Sequence, residues 1–242
     1  MIRRRVHLPP ERIGQARAEL TEVARHYLRD VLRLAPGAAV ELFDGRGGAW
    51  EATIEPGFAA LVLGARREAL AGGPSISLLF ALAKGEKGDL VVQKATELGA
   101  ARLCPWSAER SVVRLDAGKG RERAERWRRI AEEAARQCGR TDVPVVEAPV
   151  TLPATLAAVP KGHLLVLLHG PGGTPLSALG LDGAPGVALV VGPEGGLTER
   201  ELAACESAGA LRGSLGPRTL RAETAAIAGV AVLQAAVGDL DG

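Results

Sequence analysis

The sequence predicts an α/β protein with a mostly parallel sheet, preceded by a small β-rich module. Three observations carry this. Continuous apolar runs at residues 76–83, 163–168 and 187–191 have the composition of strands covered on both faces. Helical stretches separate them, as in a βαβ succession. Residues 1–70 carry short β-type runs at close spacing instead, the pattern of a small barrel.

Taken in order, Pro9-Pro10 ends an opening strand, and residues 13–32 can form a helix carrying Leu20, Val23, Tyr27, Leu28 and Val31. Strand-like runs follow at 39–43, 50–54 and 58–63, with Asp44-Gly45-Arg46-Gly47-Gly48 as a hairpin turn. Ala71-Gly72-Gly73-Pro74 marks a boundary, so the expected domains are 1–72 and 73–242. In the second, Asp89 is placed to cap a helix over 90–98 that stops at Gly99. A short strand at 102–106, a highly charged helix at 121–138, a strand near 143–146 and a helix near 153–159 come next. Thr198 with Glu201 forms a capping-box pattern. The last helix, 224–237, is alanine-rich and apolar almost all round, so it needs cover on several sides, from the core or from another subunit.

Composition narrows the function classes. No apolar run approaches the roughly 18 residues of a membrane span, and the basic start, Met1 to His7, has no apolar segment after it. Cys104, Cys138 and Cys205 are widely spaced, which argues against a disulfide framework or zinc site and for a reducing cytoplasm. His7, His26, His163 and His169 show no metal-ligand spacing. The net charge of +2 hides an asymmetry: residues 110–140 hold ten Lys/Arg against five Asp/Glu, and residues 141–242 hold five against ten. A basic middle permits nucleic-acid contact. Aromatic residues make up only 3% of the chain, which disfavours base-stacking modules. There is no asparagine, so no step can use an asparagine side chain.

The chemistry concentrates in 187–225. An apolar strand breaks into Gly192-Pro193-Glu194-Gly195-Gly196, which has neither the dinucleotide fingerprint spacing nor a P-loop Lys-Ser/Thr. Glu194 would repel phosphate, so this loop suits a ligand that is neutral or positive there. Glycines would let backbone groups approach it closely. A second loop, through Leu215-Gly216-Pro217-Arg218, delivers Leu220-Arg221-Ala222-Glu223-Thr224 to the last helix. Arg218 and Arg221 can hold a carbonyl or phosphate oxygen, and the helix dipole favours an ionised Glu223.

Those two blocks, with Gln93-Lys94-Ala95-Thr96-Glu97-Leu98-Gly99, Glu109-Arg110-Ser111 and Arg126-Trp127-Arg128-Arg129-Ile130 upstream, resemble the 16S ribosomal RNA (uracil-N3)-methyltransferases of the SPOUT class. The resemblance covers nearly the whole chain in order. Where this family usually carries aromatic residues near its start, the chain has Arg4-Arg5-Val6. The resemblance implies a PUA-like RNA-binding barrel, a domain with a deep trefoil knot, S-adenosylmethionine (SAM) as cofactor and a cytoplasmic homodimer acting on 16S rRNA of the small ribosomal subunit. It implies that His169, Gly192, Glu194, Gly195, Gly196, Leu215, Gly216 and Leu220 surround the cofactor. Arg221 would offset charge on the uracil, and Glu223 or Glu194 would accept its proton. Arg3, Arg4, Arg5, Arg123 and Arg126 would meet rRNA. The competing readings are a SPOUT methyltransferase with another RNA target and a catalytically silent RNA-binding assembly protein.

Overall fold

The computed structural model describes residues 4–68, 73–110, 117–170, 172–180 and 183–237; Arg3 lies outside them. Two compact units form, Met1–Ala71 with Glu132–Val143, and Gly72–Ala131 with Pro144–Gly242. The segment Glu132–Val143, assigned from sequence to the second domain, thus groups with the first.

The first unit is a curled half-barrel of five strands: β1 (Arg5–His7), β2 (Arg17–Glu19), β3 (Ala39–Phe43), β4 (Gly48–Ile54) and β5 (Ala60–Glu68), in the order β1-β3-β4-β5-β2. The β3–β4 turn closes as its sequence implies: Asp44 Oδ1 accepts from the backbone of Arg46 at 2.7 Å and of Gly48 at 2.9 Å. The helix expected over 13–32 is shorter. Residues Arg17–Glu19 pair with β5 instead, and Thr21 caps helix α1 (Glu22–His26), accepting from Ala24 N at 3.1 Å. A π turn, Tyr27–Val31, extends it.

Arg5 corrects an expectation. Strand pairing sets it opposite Glu41, and only 5% of the residue is exposed. Its Nε donates to Glu41 Oε1 at 2.6 Å, while Nη1 and Nη2 donate to the carbonyls of Ala135 at 3.0 Å and Arg140 at 2.8 Å. Its guanidinium also lies 4.6 Å from the Phe43 ring centroid. A fully bonded, buried guanidinium holds the unit together and is not available to rRNA phosphates. Arg4 is exposed and keeps that possibility.

The second unit is built on an eight-stranded sheet whose pairings are all parallel. Its strands are β6 (Ser75–Ala81), β7 (Arg102–Ser107), β8 (Val145–Val146), β9 (Val150–Thr151), β10 (Leu164–Leu168), β11 (Thr174–Pro175), β12 (Gly186–Val191) and β13 (Leu211–Ser214). The order is β11-β13-β10-β12-β6-β7-β8, with β9 also on β7. Central β12 is buried along its whole length, so both neighbours and both faces must cover it. Each of its buried valines and leucine contributes about 1.5–3 kcal/mol.

Helices α2 (Lys87–Glu97), α3 (Ala117–Cys138), α4 (Leu152–Ala157), α5 (Glu199–Ser207) and α6 (Ala222–Val237) complete the chain. Helix α2 starts at Lys87, so Asp89 sits inside its first turn and does not cap it. Asp89 Oδ1 accepts from Trp127 Nε1 at 2.9 Å, and Oδ2 from Arg126 Nε at 3.0 Å, which fastens α2 to α3. Trp127 is buried against Phe80, ring centroids 5.6 Å apart. No helix among the described residues is long and apolar enough to cross a membrane.

Replacing Arg5 by alanine takes from the buried Glu41 its 2.6 Å partner and leaves it only the half-exposed Arg67, whose Nη2 donates to Oε2 at 3.0 Å. It also removes the donors to the carbonyls of Ala135 and Arg140; urea denaturation should show a loss of about 3 kcal/mol. A loss below roughly 1 kcal/mol, the range of an exposed ion pair, would mean that the cluster contributes little.

Candidate active site

The carboxyl ends of parallel strands are where open α/β sheets place ligands. Here β10, β12 and β13 end together, and a cavity of about 280 Å³ opens over Leu168, Val191 and Ser214. That volume is near the lower end of small-ligand sites, roughly 300–1,000 Å³. Its walls are the two loops singled out in the sequence. His169, Gly192, Glu194, Gly196, Leu215, Gly216 and Leu220 all line it, as does Arg218. Gly195 stands at the margin, its carbonyl accepting from Arg110 Nη1 at 3.5 Å.

Local chemistry explains how the loops are held. Gly196 N donates to Pro193 O at 3.0 Å, closing a turn that needs φ +70° at Gly196. Gly216 has φ +100°, and its N–H donates to Ser214 Oγ at 3.1 Å. At both glycines a Cβ would meet open space, so the backbone itself borders the void. The capping box forms: Thr198 Oγ1 accepts from Glu201 N at 3.2 Å, and Glu201 Oε2 accepts from Thr198 N at 2.8 Å. Glu201 Oε1 also accepts from Glu109 N at 2.8 Å, tying the end of the glycine loop to the segment after β7.

One participant was not foreseen. Lys87, two residues before Asp89, opens α2 and reaches the site. Its Nζ donates to Glu194 Oε1 at 2.7 Å and lies 3.5 Å from Glu223 Oε1. The lysine hydrogen bond holds the Glu194 carboxyl below its ordinary range, and the same bond raises the Lys87 ammonium above its own. Glu223 is different: its side chain is 13% exposed, and its Oε2 is buried without a donor among the described residues. It borders a narrow cleft beside the main cavity that shares Val191, Gly192 and Ala222 with it. Arg221 is exposed between Leu220 and Ala222, which line the cavity while it does not. Its carbonyl accepts from Ala225 N at 2.8 Å, and its side chain has no hydrogen bond or ion pair among the described residues.

The remaining candidates have surroundings of their own. Burial pushes the thiols of Cys104 and Cys205 up to about 11, so neither is a thiolate nucleophile at neutral pH. No group of three metal-binding side chains occurs among the described residues. Arg123 and Arg126 are already engaged. Arg123 lies 5.4 Å from the Trp127 ring centroid and donates to Gly85 O at 3.4 Å, and Arg126 pairs with Asp89. On the same helix Arg121 and Arg129 are exposed and have no such partner among the described residues.

Comparison with known proteins agrees with this geometry. Residues 72–234 match a model for an RNA methyltransferase domain, and residues 20–59 one for an RNA methyltransferase PUA domain. Ribosomal RNA small subunit methyltransferase E of Mycobacterium bovis is 35% identical over 87% of this chain and 81% of its own length. Its counterpart in Synechocystis is 34% identical over 96% and 77%. A crystal structure of the Neisseria gonorrhoeae enzyme bound to S-adenosyl methionine superposes with a TM-score of 0.88 at 30% identity, covering 98% of this chain and 99% of that one. The chain therefore belongs to the ribosomal RNA small subunit methyltransferase E family.

Proposed function

We propose that this protein uses SAM to methylate N3 of a uridine in 16S rRNA of the small ribosomal subunit. The observation that carries the reading is the pair of carboxylates, one buried and short of a donor, beside a cavity walled by glycine backbone. The residues fit the cofactor. Where Glu194, Glu223 and Lys87 meet, two negative charges face one positive, which favours a cation at that end; Arg218 also lines the cavity. Gly196 and Gly216 expose backbone where a flat ring and its sugar need close approach. The Neisseria relative was crystallised with this same cofactor.

Bound SAM supplies an activated methyl group on a sulfonium. The chain's own residues do the rest. Uracil N3 carries a proton at neutral pH, so a base is required. Glu223 is the better acceptor, because its free Oε2 can take a proton, whereas Lys87 already holds Glu194 ionised. Negative charge then spreads to the carbonyl oxygens beside N3. Arg221, whose exposed side chain is unpaired among the described residues, would offset it. Backbone groups at Gly192, Leu215 and Leu220, with His169, would hold the adenosine part.

Further elements of the reading rest on the family. The chain would thread a deep trefoil knot through the loops after β12 and β13. It would act in the cytoplasm as a homodimer across α6, whose Ile227, Ala228, Ala231 and Val232 are only partly covered. Ribosomal RNA would meet Arg4, Arg121 and Arg129 through phosphates.

Replacing Arg221 by alanine should lower turnover about 10²–10³-fold while calorimetry shows cofactor affinity nearly unchanged. An unaltered rate would remove Arg221 from the mechanism. Charge reversal at Arg121 and Arg129 together should weaken binding to small subunits and flatten its salt dependence by about two phosphate contacts. An unchanged salt slope would make that helix face a merely solvated one.

A further inference from the structure

Lys87 is the group in the site that no motif announced. A lysine at the first position of a helix opposes the helix dipole, at a cost of about 0.3–1 kcal/mol. Nothing in α2 itself rewards it there. The base of the side chain is nonetheless fixed. Gly88, next in sequence, lies so close to Trp127 that a Cβ would come within 2.6 Å of the ring, and Asp89 is bonded to the same indole. The ammonium is therefore carried to Glu194 and Glu223 by a helix start that cannot drift.

We infer that Lys87 is a positioning residue for the methyl transfer, tying down Glu194 so that the two neighbouring carboxylates take different roles. This rests on the function proposed above. The asymmetry is geometric: 2.7 Å to Glu194 Oε1 is a hydrogen bond, while 3.5 Å to Glu223 Oε1 is an ion-pair distance, and Glu223 Oε2 has no donor among the described residues. Glu194 thus keeps its charge and its place in the loop, and Glu223 keeps a free lone pair. Lys87, its protonated form strengthened by both carboxylates, cannot itself take the uracil proton. Without Lys87, two carboxylates in one site would compete, and one would hold a proton at higher pH.

The other charged or titratable groups around the two carboxylates are Arg218 and His169 on the same cavity wall, Lys84 and Glu86 before α2, Asp89 within it, Arg123 and Arg126 on α3, Arg110 beside Gly195, and Arg221 just before α6. Asp89 is matched by Arg126, and Arg123 is directed to Gly85 O. Among the described residues none of these lies at hydrogen-bond distance from either carboxylate. Because the folded Glu194 titrates below its ordinary range, the Lys87 tie is complete at neutral pH. It is lost as pH falls through that depressed midpoint.

The test uses the full-length protein labelled with ¹³C-glutamate, in wild type, K87M, K87Q and K87R, together with pH profiles of kcat on undermodified small subunits. In K87M and K87Q the Glu194 carboxyl should titrate at higher pH, the acid limb of kcat should move the same way, and kcat at neutral pH should fall at least about tenfold. K87R, which retains the charge, should restore the acid limb. Circular dichroism confirms that each variant is folded, and two neutral replacements guard against a misfolded one. Unchanged carboxyl titration in both neutral variants would overturn the inference, as would an unmoved acid limb. Absence of methylation by the wild type would instead defeat the methyltransferase reading, and the apo-protein titration would still decide whether Lys87 governs the carboxylates.

Discussion

Everything in the second unit depends on burying β12 in the middle of a parallel sheet. A strand with every residue buried must satisfy its backbone on both edges, and β10 and β6 do so in continuous register. Helices have to cover both faces: α2 and α6 pack together on one, and α4 and α5 cover the Ala188 and Val190 side. The strand can end only where its neighbours end, so Gly192 emerges beside His169 and the β13 loop. The cavity is a consequence of that constraint, and the glycine loops are what keep it open.

The same logic brings together charges that lie far apart in the chain. Glu194 follows β12, Glu223 opens α6 and Lys87 opens α2. Each stands at the end of an element whose position the buried sheet has settled. The local fastenings are of ordinary strength: a capping box worth about 1 kcal/mol, a bonded indole, two glycine turns. Their effect is directional, because each fixes the start of a helix or the exit of a strand on which a charged group rides.

Legibility in the sequence followed the range of the interaction. The Thr198–Glu201 box and the Asp44 turn involve residues three or four positions apart, and both form as their patterns imply. The apolar runs at 76–83, 163–168 and 187–191 became β6, β10 and β12, because a strand buried on both faces has little choice of composition. Arg5 was misread: three arginines in a row suggest a phosphate surface, yet strand alternation turns Arg5 inward onto Glu41, a partner 36 residues away. Lys87 was missed for the same reason. Its partner Glu194 is 107 residues distant, and nothing near Lys84-Gly85-Glu86-Lys87-Gly88 signals that loop's destination. The family resemblance supplied the cofactor and the reaction, which periodicity and composition could not. The structure then separated the two carboxylates that sequence left equivalent.

The central claim is that two carboxylates with unequal surroundings serve proton removal from a uracil ring. The most direct measurement is transfer of labelled methyl from SAM to small ribosomal subunits that lack the modification, followed by mapping of the product by mass spectrometry. The account predicts a single label, on N3 of one uridine of 16S rRNA. Label on a ribose oxygen or on another base would contradict it.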